Sequence, residues 1–165
     1  MPSIAEAVAQ AKTGIWRRLA TTDWRRLATT EGLQDADGVT VRSATIAPEE
    51  FQADMVILGD VTIGPGARPG LAGRAASPSM SGWVVITRPE GSEEAIRAAR
   101  DRAAQVMGLV EAAIGTDPTA DGTVRGPGGT AVNISALEES PVDWNGQAAR
   151  RATYPFTVSW TSHVS

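Results

Sequence analysis

The stretch from Ser92 to Gly115 constrains this chain more than any other. Ile96, Ala99, Ala103, Val106, Met107, Val110, Ala113 and Ile114 recur at three- and four-residue steps, while Arg97, Arg100, Asp101, Arg102, Gln105 and Glu111 fill the positions between. That pattern predicts a one-sided amphipathic helix of about six turns. Ser92 is placed to cap it, Glu93 and Glu94 suit the positive end of its dipole, and Gly115 closes it. Burying each larger apolar side chain of the stripe stabilises the fold by roughly 1.5–3 kcal/mol. The helix therefore needs an apolar surface to lie on.

Strands supply that surface. Val39 to Thr45 and Met55 to Ile63 read as the first two. Ser81 to Arg88 has a largely apolar centre, which predicts cover on both faces. Val132 to Glu138 is a further strand, and Arg151 to Val164 closes the chain with Tyr154, Phe156, Val158 and Trp160 pointing one way. Pro155 cannot donate to a ladder, so this last strand is expected at a sheet edge or with a bulge there. Such an edge offers unpaired backbone groups to another subunit. Gly32 to Gly38 and Asp117 to Gly122 read as turns, Gly64 to Ser81 as a long Gly/Pro-rich loop, and Pro141 to Gly146 as another loop. At the N-terminus, Ser3 and Glu6 form a capping box for a helix whose stripe is Ile4, Ala7, Val8 and Ala11. The expected fold class is α+β. A mixed, mainly antiparallel sheet carries an N-terminal helix and one long amphipathic helix packed on it, all in a single domain spanning 1–165.

An exact duplication follows the first helix. Trp16-Arg-Arg-Leu-Ala-Thr-Thr22 returns as Trp24-Arg-Arg-Leu-Ala-Thr-Thr30, so the N-terminal segment reaches to about residue 31. Eight residues of helix advance about 800°, which sets the second copy about 80° around from the first. Equivalent residues cannot share one face of a straight helix. Two copies are also too few to stack as a solenoid. The plain reading is a small duplication that lengthens the helix or its exit. The alternative is a basic-aromatic contact patch made by Trp16, Arg17, Arg18, Trp24, Arg25 and Arg26.

Residue types for bond-breaking chemistry are scarce. There is no cysteine, and the single histidine, His163, lies near the C-terminus, so neither a Cys nucleophile nor a well-placed Ser-His-Asp triad is expected. Zinc and iron spacings are missing for the same reason. The carboxylate pairs Glu49-Glu50, Glu93-Glu94 and Glu138-Glu139 are adjacent in sequence, so on either regular structure their side chains diverge. Gly64, Gly66 and Gly70 match no phosphate-binding fingerprint, and the one lysine, Lys12, lies far upstream. No cofactor or metal is expected. A net charge of -4 gives no general reason to bind nucleic acid. No apolar run approaches the roughly 20 residues that span a bilayer, and Met1 to Gln10 does not look like a secretory signal, so a soluble chain made in the cytoplasm is expected. Trp83 and Trp160 fall in strand patterns and are expected in the core, whereas Trp16, Trp24 and Trp144 are candidates for partner contacts.

The order of motifs is informative. Phe51-Gln-Ala-Asp-Met-Val-Ile-Leu-Gly-Asp60 precedes a variable loop and the strand Trp83-Val-Val-Ile86. Then come a helix with Ala99-Arg-Asp-Arg-Ala-Ala-Gln-Val-Met-Gly-Leu-Val-Glu-Ala-Ala113, the turn Thr116-Asp-Pro-Thr119 and the strand Ala152-Thr-Tyr-Pro-Phe-Thr-Val-Ser159. Over residues 39 to 163 this resembles the tail-terminator proteins of long-tailed bacteriophages that infect actinobacteria. The Trp-Arg-Arg-Leu duplication, the Gly/Pro-rich loop, and Ala or Ile in place of Leu at the helix end depart from that family. The resemblance implies a non-enzymatic structural protein of the virion, assembled in the host cytoplasm and placed at the tail–neck junction. It implies a homohexameric ring that caps the major tail tube protein, stops tube polymerisation and docks the head-closure or neck connector. Its lumen offers DNA a passage without specific binding. Another head–tail connector component or a tube subunit is the alternative. Candidate contact residues are Trp16, Arg17, Trp24 and Arg25 from the duplicated segment, Trp144 from a loop, and Arg68, Tyr154 and Pro155 from the long loop and final strand that suit such a ring.

Overall fold

The computed structural model describes residues 3–20, 39–43, 52–65, 74–124 and 128–164. Helix α1 (Ile4–Ala20) leads to β1 (Thr40–Arg42), β2 (Asp54–Pro65) and β3 (Arg74–Pro89). Helix α2 (Glu93–Thr116) follows, then β4 (Ala131–Ile134), β5 (Glu138–Trp144), β6 (Gln147–Ser159) and β7 (Ser162–Val164). The strands form one mixed sheet in the order β1-β2-β3-β6-β4, with β5 also pairing β6 and β7 pairing β3. Only β1 and β2 run parallel; the other pairings are antiparallel. The expected α+β class is what the chain adopts.

Both helices form for the reasons their sequences suggest. Ser3 Oγ accepts from the Glu6 backbone N–H at 3.1 Å, and Glu6 Oε2 accepts from the Ser3 N–H at 2.6 Å, the reciprocal bonds of a capping box. Ser92 Oγ accepts from the Ala95 N–H at 3.1 Å and caps α2. That helix runs through Gly115 to Thr116, and Asp117 rather than glycine ends it. Its stripe from Ala99 to Ile114 is buried against Val56, Leu58, Met80, Val84, Ile86, Ala152, Phe156 and Val158 of the sheet. Val8, Ala11, Ile15 and Leu19 of α1 enter the same core. The two helices thus share one face of the sheet. Met55, Ile57 and Val85 are buried on the other face beside half-buried Trp83, so the β3 centre is buried on both faces, and Trp160 lies in the helix-side core.

Three expectations need correction. The closing strand is interior, because β6 pairs β3 on one side and β4 and β5 on the other. Pro155 survives there because it faces a break. The Ser135 N–H donates to Pro155 O at 2.9 Å, and the bond that a Pro155 N–H would return is the missing one. Pairing resumes one residue out of step, from Ile134 opposite Phe156 to Glu138 opposite Thr153, so the bulge belongs to the partner strand. Pro78 does the same to β3: the Trp160 N–H donates to Pro78 O at 3.2 Å with no return bond, which separates β6 from β7 although their register is continuous.

Second, most of the loop expected over Gly64–Ser81 is strand. Strand β2 runs to Pro65, paired with Ala76, and β3 starts at Arg74, paired with Val164 of β7. Third, Pro141–Gly146 is no loop: β5 extends to Trp144, and Asn145 and Gly146 turn the chain with φ of 55° and 77°. Both residues in the left-handed region fit a two-residue type I′ hairpin, and Asn-Gly is the sequence signal for one.

Two glycines on opposite faces let aromatic rings lie on the sheet. A Cβ on Gly82 would sit 2.4 Å from the Phe156 ring, and one on Gly59 would sit 2.6 Å from that of Trp83. Gly82→Ala is therefore expected to destabilise the protein by about 1–3 kcal/mol through overpacking, although alanine outranks glycine in a free strand. A chemical-denaturation midpoint equal to or above that of the parent would contradict this packing.

Candidate functional site

Polar side chains of the described residues are spent largely on joining elements. Asp54 opens β2 and is almost buried. Its Oδ1 accepts from Arg88 Nη1 at 2.6 Å and its Oδ2 from Arg102 Nε at 2.8 Å. One carboxylate thus ties β2 to the end of β3 and to α2, and Gln105 Oε1 takes a further bond from Arg102 at 3.3 Å. Lys12 of α1 reaches the sheet, where its Nζ donates to Gly59 O at 2.7 Å. That carbonyl lies where the β2–β3 register slips by one residue, so the chain's single lysine satisfies a bulge.

The first copy of the duplicated segment has structural work within the chain. Helix α2 carries no basic residue in its own last turn. Arg18 supplies one: its Nε donates to Ala113 O at 3.1 Å and its Nη2 to Thr116 Oγ1 at 2.9 Å. Arg17 pairs with Asp121 at 3.1 Å, Leu19 is fully buried, and Trp16 packs against the core. Asp117 holds the adjoining turn. It accepts from Thr119 Oγ1 at 2.6 Å and from the Asp121 N–H at 2.9 Å, bonds that keep its carboxyl below the usual range. The second copy, with Trp24 and Arg25, lies outside the described residues, as does Arg68.

Of the remaining candidates, Trp144 ends β5, while Tyr154 and Pro155 belong to the interior strand β6. Trp144 is half-buried at the hairpin tip. Tyr154 and Pro155, also half-buried, sit opposite the bulge between β4 and β5. Sequence reasoning missed the two side chains beside them: Ile134 is 42% exposed and Leu137 39%, although both are large and apolar. The Asn-Gly turn was the signal that could have located the β4–β5 edge. On the acidic side of that edge, Arg100 of α2 forks onto Glu139 of β5 through Nε–Oε1 and through Nη2–Oε2 at 3.0 Å. This contact raises the Arg100 guanidinium and lowers the Glu139 carboxyl relative to their usual values.

No three His, Asp or Glu side chains among the described residues are grouped so as to hold a metal ion. No helix among them is long and apolar enough to cross a membrane.

No family model matches the chain, and no curated protein matches it in sequence. Among solved structures it is similar to a chain of a particle described as "Virion of native gene transfer agent (GTA) particle". The identity is 12%, the match covers 97% of this chain and 100% of that one, and the TM-score is 0.43.

Two predictions test this anatomy. Asp54→Ala leaves Arg102 and Arg88 without their carboxylate and is expected to cost about 3–5 kcal/mol, with Asp54→Asn milder; urea unfolding of the two variants measures it. For Glu139 the folded carboxyl is the stronger acid, so its contribution is complete above the unfolded value near 4.5 and fades as pH falls through the lower folded one. The parent should lose stability more steeply than Glu139→Gln below that pH, and parallel denaturation curves would refute the link.

Proposed function

We propose that this chain, as one domain, is a structural protein of a phage-like virion that caps the tail tube as a ring. In this reading it ends tube polymerisation and presents its other surface to the head–neck connector. The observation that carries it is the order of motifs along a fold of the expected class. Asp54–Asp60 forms the first half of β2, Trp83–Ile86 lies within β3, Ala99–Ala113 is the body of α2, and Ala152–Ser159 is the end of β6. These are the segments in which the sequence resembles tail-terminator proteins.

Two physical features support an assembly role over catalysis. The ionic groups described above connect elements of the fold, and the large exposed apolar side chains sit on or beside strands, where a neighbour can cover them. Among the candidate contact residues, Trp144 at the hairpin tip and Tyr154 beside the bulge are best placed. Trp16 and Arg17 would contribute only the surface left over from their contacts within the chain.

Virions from a phage lacking this gene should show tails of uncontrolled length that are unattached to filled heads. Electron microscopy of negatively stained lysates gives the answer, and tails of normal length would refute the capping role.

A further inference from the structure

Among the described residues the sheet is open along β1 and the end of β2 on one side and along the β4–β5 line and β7 on the other. The two halves of the β4–β5 line differ. Residues of an antiparallel strand direct their N–H and C=O groups alternately toward and away from the neighbour. The Ser135–Pro155 bond fixes the alternation, so in β4 the groups of Val132 and Ile134 point away from β6. In β5 the outward positions are Glu139, Pro141 and Asp143. Two carry acidic side chains and the middle one has no N–H to give, which blunts that half against another strand. Ala131 to Leu137 has no charged residue and exposes Ile134 and Leu137. An apolar edge with free backbone groups is a template for pairing.

We propose that the β4 edge receives β1 of a second copy, so that the sheet continues from one copy to the next. The proposal rests on the ring reading above and names its lateral contact. Strand sense permits it. β1 runs with β2 and β6, and β4 runs against them, so copies placed side by side with helices on the same face meet antiparallel. Side-chain chemistry agrees. Val39 and Val41 pack toward the helix-side core, as Val132 does, and Ile134 shares the Val132 face. Joined, the edges set apolar residues against apolar residues on that face, with Thr40 near Ala131 and Asn133 on the other. β1 is three residues long and has one neighbour, so a second partner completes it. The two edges are different surfaces, which makes the contact heterologous. Repeated through a closing rotation it gives a ring.

Because the chain lacks cysteine, introduced thiols report cleanly. The double variant Val41→Cys/Ile134→Cys, treated with a bis-maleimide short enough to join only adjacent strands, should give a ladder of covalent multimers on a denaturing gel. Each single variant should stay monomeric there. Ile134→Pro removes an N–H that points outward and pairs with no strand among the described residues. It should leave the circular dichroism unchanged and reduce the ring to monomers by mass photometry. Rings that form without a ladder and survive Ile134→Pro would overturn the β1–β4 contact while leaving the ring reading intact. A ladder that stops at dimers would overturn it as well, since that is the mark of a two-fold contact. A parent chain that stays monomeric both alone and with purified tail tubes would overturn both.

Discussion

Everything in this fold depends on the pairing of β3 with β6. Ser79 to Pro89 lies against Ala149 to Ser159, and the same register continues through Trp160 into β7. The pairing joins segments separated by much of the chain, a closure whose entropic cost grows only slowly with length. It also assembles the surface that α2 needs, because Met80, Val84, Ile86, Ala152, Phe156 and Val158 come together only when these strands are neighbours. The helix between them then covers its own connection. Without β6 in the interior, the apolar stripe of α2 would have half a floor.

Placing β6 inside sets where the molecule can meet others. An interior strand has no backbone left to offer, so that role passes to β1 and to the β4–β5 line. The prolines are consistent with this division. Pro155 and Pro78 each occupy an interior strand at the cost of one ladder bond, at the points where β4 gives way to β5 and β6 to β7. Pro141 sits on an edge, where its missing N–H is directed outward. The same residue type interrupts the ladder in one place and protects an edge in another, according to which way its nitrogen points.

Ionic contacts then lock the helices to this frame. Asp54 holds Arg88 and Arg102 together, Lys12 closes the β2 bulge, and Arg18 completes the C-terminal end of α2. The first Trp-Arg-Arg-Leu segment belongs to this scaffold through Trp16, Arg17, Arg18 and Leu19. Its resemblance to a basic-aromatic patch in sequence is offset by the partners that its side chains find within the chain.

By itself the sequence determined the local elements. Spacing marked the stripe of α2, Ser3, Glu6 and Ser92 marked the helix starts, apolar runs marked β2 and β3, and alternation marked β6, because these signals depend on near neighbours. Only the tertiary structure decided which strand lies inside, which prolines face a break and which apolar residues remain exposed. Pro155 reads as an edge signal because a lone strand cannot show what lies opposite. Ser135 and the bulge beyond it supply that information from a segment twenty residues away. Asp54 gave no hint of its two arginines, since charge pairing across elements leaves no periodic trace in a chain.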